Sequence, residues 1–324
     1  MNRKFIQRKW RQMQTGKRCA SWGVALIVML ALATEVDGWA GQSSGGASSP
    51  AIPAADSSWP DVKLNVVVTD KHGAPQKINE HAFQLSEDGA ERPLHFPDSA
   101  DSPVSLALLI DSSGSIFNRK PEIVSAVTAI IHALPADSEV MAVLFTDKAY
   151  IDLPLTPVSK VDFSFLDRLQ ASGPTALYDA IFATEDYVIG HAKYARRSLV
   201  ILSDGEDNTS HVSMRNVIWK MEHPGAPVVY ACPPSKARIM QNELMAGHIN
   251  MKFLAKWGGG MLFDLDPDPT STAAQIVAAI RSQYVLQFSA ANPARNGKAH
   301  KLELRLPLKD VEIHGLSNYH APQK

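Results

Sequence analysis

The sequence predicts an α/β protein: a doubly wound, mostly parallel sheet with helices on both faces, and a small accessory β domain formed by flanking N- and C-terminal strands. Three observations predict it. Between residues 104 and 283, short uninterrupted apolar runs alternate with longer runs whose apolar residues recur at helical spacing, the pattern of strands buried on both faces and joined by covering helices. On either side of that stretch the apolar residues alternate in twos, as in antiparallel strands with one wet face. Neither flanking segment has enough strands to stand alone, so the two are expected to pair with each other.

The elements follow in order. Residues 1–40 read as an export segment: Arg3, Lys4, Arg8, Lys9, Arg11, Lys17 and Arg18 precede the run "WGVALIVMLALAT" from Trp22 to Thr34, and Gly38-Trp39-Ala40 offers small residues for cleavage. The run fits a signal peptide and is too short for a spanning helix, which needs about 20 residues; an uncleaved signal anchor is the alternative. Residues 41–60, rich in Gly, Ser, Ala and Pro, are expected to be a flexible linker. Residues 61–100 open the accessory β domain, with "VKLNVVVTD" as a strand and Asp88-Gly89 as the turn of a hairpin.

Within residues 104–283 the strands are expected at "VSLALLI", "EVMAVLF", "RRSLVILS", "PVVYAC" and "MLFDL". The helices are expected at "KPEIVSAVTAIIHAL", "VDFSFLDRL", "ALYDAIFATEDYVIG", "VSMRNVIWKMEH", "NELMAGHINMKFLAKWG" and "TSTAAQIVAAIRSQ", with Trp219 and Trp257 on their buried faces. Residues 284–324 complete the accessory domain through "YVLQFSA", "HKLELRLPL" and an edge strand in "VEIHGLSNYH".

Composition excludes some functions. With 45% apolar residues, 20% charged residues and a net charge of −1, the chain has no electrostatic footprint for nucleic acid or an anionic membrane. Membrane contact is expected only through an uncleaved N-terminal segment. Cys19 precedes the apolar run and cleavage would leave Cys232 alone, so no intramolecular disulfide is expected. Cys232 ends an apolar run and reads as a small buried hydrophobe.

The chemistry gathers at strand ends. "LALLIDSSGSIF" stops at Asp111 and places Asp111, Ser113 and Ser115 at alternate positions, with Gly114 letting the chain turn between them. "SLVILSDGEDN" ends in Asp204, and "SGPTALYDA" sets Thr175 at the entry of a helix whose first turn holds Asp179. In a doubly wound sheet, ligands bind outside the carboxyl ends of the strands where strand order reverses. Two carboxylates and three hydroxyls with no His or Cys form a hard oxygen set, suited to Mg²⁺ or Mn²⁺ and not to zinc. A cation held this way keeps attraction for an outside anion, and a partner's carboxylate can complete its shell. For Asp179, a role behind the ligands and a solvated first-turn acid are both open. Glu206 and Asp207 read as solvated loop charges, and "DLDPDP" lacks the Gly and Glu of a calcium loop.

The five positions Asp111, Ser113, Ser115, Thr175 and Asp204 resemble, in order and strand context, the metal-ion-dependent adhesion site of von Willebrand factor type A domains. "VVVTDKHG", "FQLSEDG", "TALYDA", "LSDGEDN" and "RSQYVLQF" extend the resemblance to secreted bacterial proteins of that kind, over nearly everything from Asp61 onward. The resemblance implies a Rossmann-like domain with a divalent cation at its top and protein binding as its role. It implies Ser113, Ser115 and Thr175 as direct or near-direct ligands, with Asp111 and Asp204 acting largely through water. The expected function is that of an exported, non-catalytic protein, periplasmic, cell-surface or secreted, whose Mg²⁺ or Mn²⁺ binds an acidic group of a partner protein in adhesion or envelope assembly. A metal-dependent hydrolase and a scaffold with an unoccupied site are the alternatives. Against the hydrolase, no His lies in the three site segments, no G-x-S-x-G elbow is present and no phosphate loop follows a strand.

Overall fold

The computed structural model describes residues 61–98, 102–234, 242–265, 268–292 and 294–322. Residues 1–60, the expected export segment and linker, lie outside the described residues. Among the described residues no helix is long and apolar enough to cross a membrane, and the described residues cluster as one compact unit.

β1 (Asp61–Asp70) is followed by a hairpin of β2 (Gln84–Glu87) and β3 (Ala90–Arg92). Its turn is Asp88-Gly89, with φ of 50° and 86°, the paired left-handed conformation of a tight hairpin that Asp-Gly adopts at low cost.

β4 (Ser105–Asp111) begins the large sheet, and all of its residues are buried. Leu106, Leu108 and Ile110 enter the core on one face, while Ala107 and Leu109 enter the core on the other. This two-sided burial is why the strand reads as an unbroken apolar run. α1 (Lys120–Ala133), with Pro121 in its first turn, leads to β5 (Glu139–Phe145), parallel to β4. β6 (Ala149–Pro157) then turns back antiparallel as the edge. From there the chain crosses to the opposite side of β4: α2 (Leu177–His191) feeds β7 (Arg197–Leu202), which pairs parallel with β4. α3 (Met214–Met221), β8 (Val228–Cys232), α4 (Asn242–Trp257) and β9 (Met261–Leu262) extend that side, and α5 (Pro269–Arg281) packs on α1. The resulting order is β6-β5-β4-β7-β8-β9. Because the chain leaves β4 first to one side and then to the other, the carboxyl ends of β4 and β7 border the crevice where strand order reverses.

The flanking strands pair with one another. β10 (Tyr284–Ser289) lies antiparallel to the first half of β1; β11 (Ala299–Arg305) pairs with β2; β12 (Val311–His314) takes the second half of β1; and β13 (Asn318–His320) pairs with β11. Their shared core includes Val62, Leu64, Leu85, Leu286, Phe288 and Tyr319. Glu87 is fully buried there, and its carboxylate accepts from the Tyr319 hydroxyl, from Arg92 Nε at 2.9 Å and from the Ala291 amide at 2.9 Å. A buried charge with three donors does not carry the penalty of an isolated one.

Three expectations are corrected and one strand is added. "VDFSFLDRL" forms a 3-10 turn, Phe163–Arg168, in place of an α-helix: two adjacent core anchors, Phe165 and Leu166, fasten a run too short to gain from helical propagation. Residues 149–157 form β6, an edge strand that apolar patterning does not disclose, with Pro154 tolerated because an edge strand has unpaired N–H positions. "VEIHGLSNYH" supplies two strands, β12 and β13, in different sheets. Trp257 is exposed and Trp219 is only half-buried, against the His320 ring. α4 turns Met251, Leu254 and Ala255 inward, which leaves Trp257 on the opposite row.

Candidate functional site

Three loops meet at the crevice, and backbone hydrogen bonds join them. Asp111 is the last residue of β4 and is fully buried. The Ser112 amide donates to the Phe145 carbonyl, its hydroxyl accepts from the Gln170 amide at 3.0 Å, and its carbonyl accepts from the Ser172 amide at 2.9 Å. The Gly114 amide donates to the Gly173 carbonyl at 3.1 Å. The loop after β4 is thereby tied to the segment that delivers Thr175. That segment is tied in turn to the loop after β7: the Thr175 carbonyl accepts from the amides of Asn208 and Thr209, and the Thr175 amide donates to Asn208 Oδ1 at 2.9 Å.

Within this frame Asp111 Oδ1 accepts from the Ser113 amide at 2.8 Å, and Asp111 Oδ2 accepts from the Ser203 hydroxyl at 2.6 Å. The hydroxyls of Ser113 and Ser115 lie 3.1 Å apart. Ser113, Thr175 and Asp204 are buried and Ser115 is exposed, so the group opens to solvent on one side. Burial pushes the Asp111 carboxyl up to about 6; the hydrogen bonds from Ser113 and Ser203 oppose the shift and the neighbouring Asp204 charge adds to it. Asp204 Oδ1 accepts from the Glu206 amide at 3.1 Å, whereas Asp204 Oδ2 is buried with no hydrogen-bond partner among the described residues. Neither carboxylate is ion-paired there.

Asp179 is not a solvated first-turn acid. It is buried, and its carboxylate accepts from the amides of His211 and Val212, with His211 Nδ1 at 3.2 Å. It therefore pins the far end of the β7 loop to the first turn of α2. Asp207 is also no solvated charge, since its Oδ1 accepts from the Tyr178 amide and the Ser210 hydroxyl. Asp264, in the "DLDPDP" stretch, accepts from His248 at 2.8 Å or pairs with it when the ring is charged.

Patterning missed two contributors. Ser203 reaches Asp111 because β4 and β7 are parallel neighbours with Ile110 opposite Leu202, which sets the next residues of both strands side by side. α4 seats the Asp204 loop: Asn250 Nδ2 donates to the Gly205 carbonyl at 2.7 Å, and Gly205, at φ 86°, lies directly against Gly247. A Gly-Gly contact 42 positions apart leaves no local signal, whereas strand register would have found Ser203.

Fold and site together define a doubly wound α/β domain with an oxygen-only, carboxylate-and-hydroxyl group at its topological switch point. Residues 106–206 match the von Willebrand factor type A domain family. No curated protein matches the chain. Similar solved structures include a von Willebrand factor type A protein from Catenulispora acidiphila, 13% identical with a TM-score of 0.47, covering 81% of this chain and 70% of that one. An aerotolerance-related membrane protein from Bacteroides fragilis is 15% identical with a TM-score of 0.41, covering 55% of this chain and 98% of that one. Proximal thread matrix protein 1 from the mussel byssus, in a form whose adhesion-site motif holds zinc, is 15% identical with a TM-score of 0.44, covering 59% of this chain and 49% of that one.

Proposed function

We propose that the protein binds a divalent cation, Mg²⁺ or Mn²⁺, through Asp111, Ser113, Ser115, Thr175 and Asp204, and uses it to hold a carboxylate of a partner protein. The observation that carries this reading is the buried, unpartnered Asp204 Oδ2 beside buried Asp111, with neither carboxylate ion-paired among the described residues. Two neighbouring carboxylates removed from water repel each other and lack counter-charge, a costly arrangement unless a cation answers it. Among the described residues no group of three or more His, Cys, Asp or Glu is placed to hold a metal. The donors here are instead two acids with hydroxyls, which suits a cation that keeps waters and uses few carboxylates. Ser113 and Ser115 supply neutral oxygens, so a bound cation retains net positive charge for an anionic partner.

On this reading the protein is exported, its N-terminal segment serving as signal peptide or anchor, and works in adhesion or envelope assembly. Residues 104–283 form the binding domain, with residues 61–100 and 284–324 making the accessory β domain behind it. No catalytic step is proposed: the Ser203 hydroxyl that donates to Asp111 is itself buried.

Thermal unfolding in EDTA and in excess Mg²⁺ or Mn²⁺ tests the cation site. Ligand at a hundred times its dissociation constant stabilises a native state by about 2.7 kcal/mol. The wild type is expected to gain a midpoint shift that Ser113→Ala/Ser115→Ala loses; a shift that survives in the double variant, or none in the wild type, would refute the reading.

A further inference from the structure

α4 carries a feature that the metal site does not use. Met245, Ile249, Phe253 and Trp257 are 56%, 48%, 49% and 37% exposed. They recur every four residues, so they form one ridge that slants around the helix, about 18 Å long at ~1.5 Å per residue. The other large exposed apolar side chains among the described residues are Phe117 and Leu308. Scattered exposed hydrophobes are ordinary, whereas four in register on one helix face are not.

We propose that this row is the docking surface for an acidic, amphipathic helix of a partner protein. A single row at i, i+4, i+8 and i+12 is one of the ridges that helices pack into each other's grooves. Its neighbours on the exposed side of α4 are Lys252 and Lys256, both exposed and neither ion-paired among the described residues. No acidic side chain is exposed on the described part of this face, so the complementary surface is apolar with acidic flanks. A second copy of α4 fits poorly, since a two-fold contact over Ile249 and Phe253 would bring Lys252 and Lys256 towards their own counterparts. A bilayer fits poorly too: a membrane-surface helix buries a broad apolar face, and this row is one residue wide.

The surface is preformed. On the reverse side Met251, Leu254 and Ala255 are buried in the core, and Gly247 holds the helix against Gly205. A partner helix therefore meets little backbone-ordering cost on this side of the interface. The contact makes no use of the cation, so it stands or falls separately from the proposed metal site.

The test is a selection of phage-displayed 16-residue peptides on the full-length protein in EDTA, counter-selected on Ile249→Ser/Phe253→Ser, two exposed positions whose change leaves the core intact. Enriched peptides are expected to show apolar residues at helical spacing with Asp or Glu beside them. As synthetic peptides they should bind at least tenfold more weakly to the double variant, by fluorescence anisotropy. Lys252→Glu/Lys256→Glu should reverse the preference in favour of the same peptides with Lys in place of the acids. Enrichment without acidic or helical pattern, equal binding to the double variant, or loss of binding on adding Mg²⁺ would overturn the proposal. So would either rival occupant: row-dependent dimerisation in light scattering, or row-dependent binding to phosphatidylglycerol vesicles.

Discussion

Gly247→Ala puts the seating of the Asp204 loop on α4 to a test in which the two possible outcomes differ in sign. Gly247 lies inside α4, where alanine is favoured over glycine by about 1 kcal/mol. On helical grounds alone the substitution stabilises. In the folded protein, however, a Cβ at this position would lie 2.2 Å from the Asp204 carbonyl oxygen and 3.2 Å from its carbonyl carbon. Relieving that to an ordinary contact of about 3.5 Å requires roughly 1.3 Å of movement. Both parts that must move are backbone, one a helix packed on the core and the other the turn through Asp204 and Gly205. Overpacking of this kind costs about 1–3 kcal/mol; with the upper end appropriate to a backbone clash, and the helical gain subtracted, a net loss of about 2 kcal/mol remains. For a chain of this size that is a fall in Tm of about 4–8 °C. Gly190→Ala is the control: it lies near the end of α2 with nothing within 4 Å of its added Cβ, so it should be neutral or stabilising by up to ~1 kcal/mol. Urea unfolding of both variants reads the difference, and Mg²⁺ titration of Gly247→Ala should show weakened binding because Asp204 is displaced. A Gly247→Ala protein as stable as Gly190→Ala would refute the close approach and, with it, the placement of Asp204 by α4.

Two further outcomes are expected. Glu185 on α2 is fully buried with no hydrogen-bond partner for either carboxyl oxygen among the described residues; burial holds its carboxyl well above the usual range, and the Lys220 charge pulls the other way. The folded protein then keeps this proton to higher pH than the unfolded chain does, so the stability difference between wild type and Glu185→Gln should move against the wild type as pH rises from 5 to 8, by at most about 1.4 kcal/mol per unit; parallel stability curves would contradict it. Ser203→Ala removes the donor to Asp111 Oδ2 and the acceptor of the Gly205 amide at 3.1 Å. It should cost about 1–3 kcal/mol in EDTA, and urea unfolding that changes by less than about 0.5 kcal/mol would sink that account.

The fold was legible where a single segment carries its own burial. β4, β5, β7 and β8 read as unbroken apolar runs because each is covered on both faces. The Asp88-Gly89 hairpin was legible because its turn needs two left-handed residues in succession. β6 was not, since a half-exposed edge strand has no continuous run, and "VDFSFLDRL" misled because apolar spacing over six residues does not separate an α-helix from a 3-10 turn.

Local chemistry at the strand ends was enough to single out Asp111, Ser113, Ser115, Thr175 and Asp204 as a candidate group, because polar side chains at a crevice gather where buried strands stop. Tertiary structure alone decided the relations between remote segments. It set Ser203 on Asp111 through parallel register, turned Asp179 and Asp207 into fasteners of a loop, closed Gly205 onto Gly247 and faced Trp257 outward in a row with Phe253. Each depends on which surfaces of two elements meet, and a one-dimensional pattern records the period of a side chain along its own element without recording what stands opposite it.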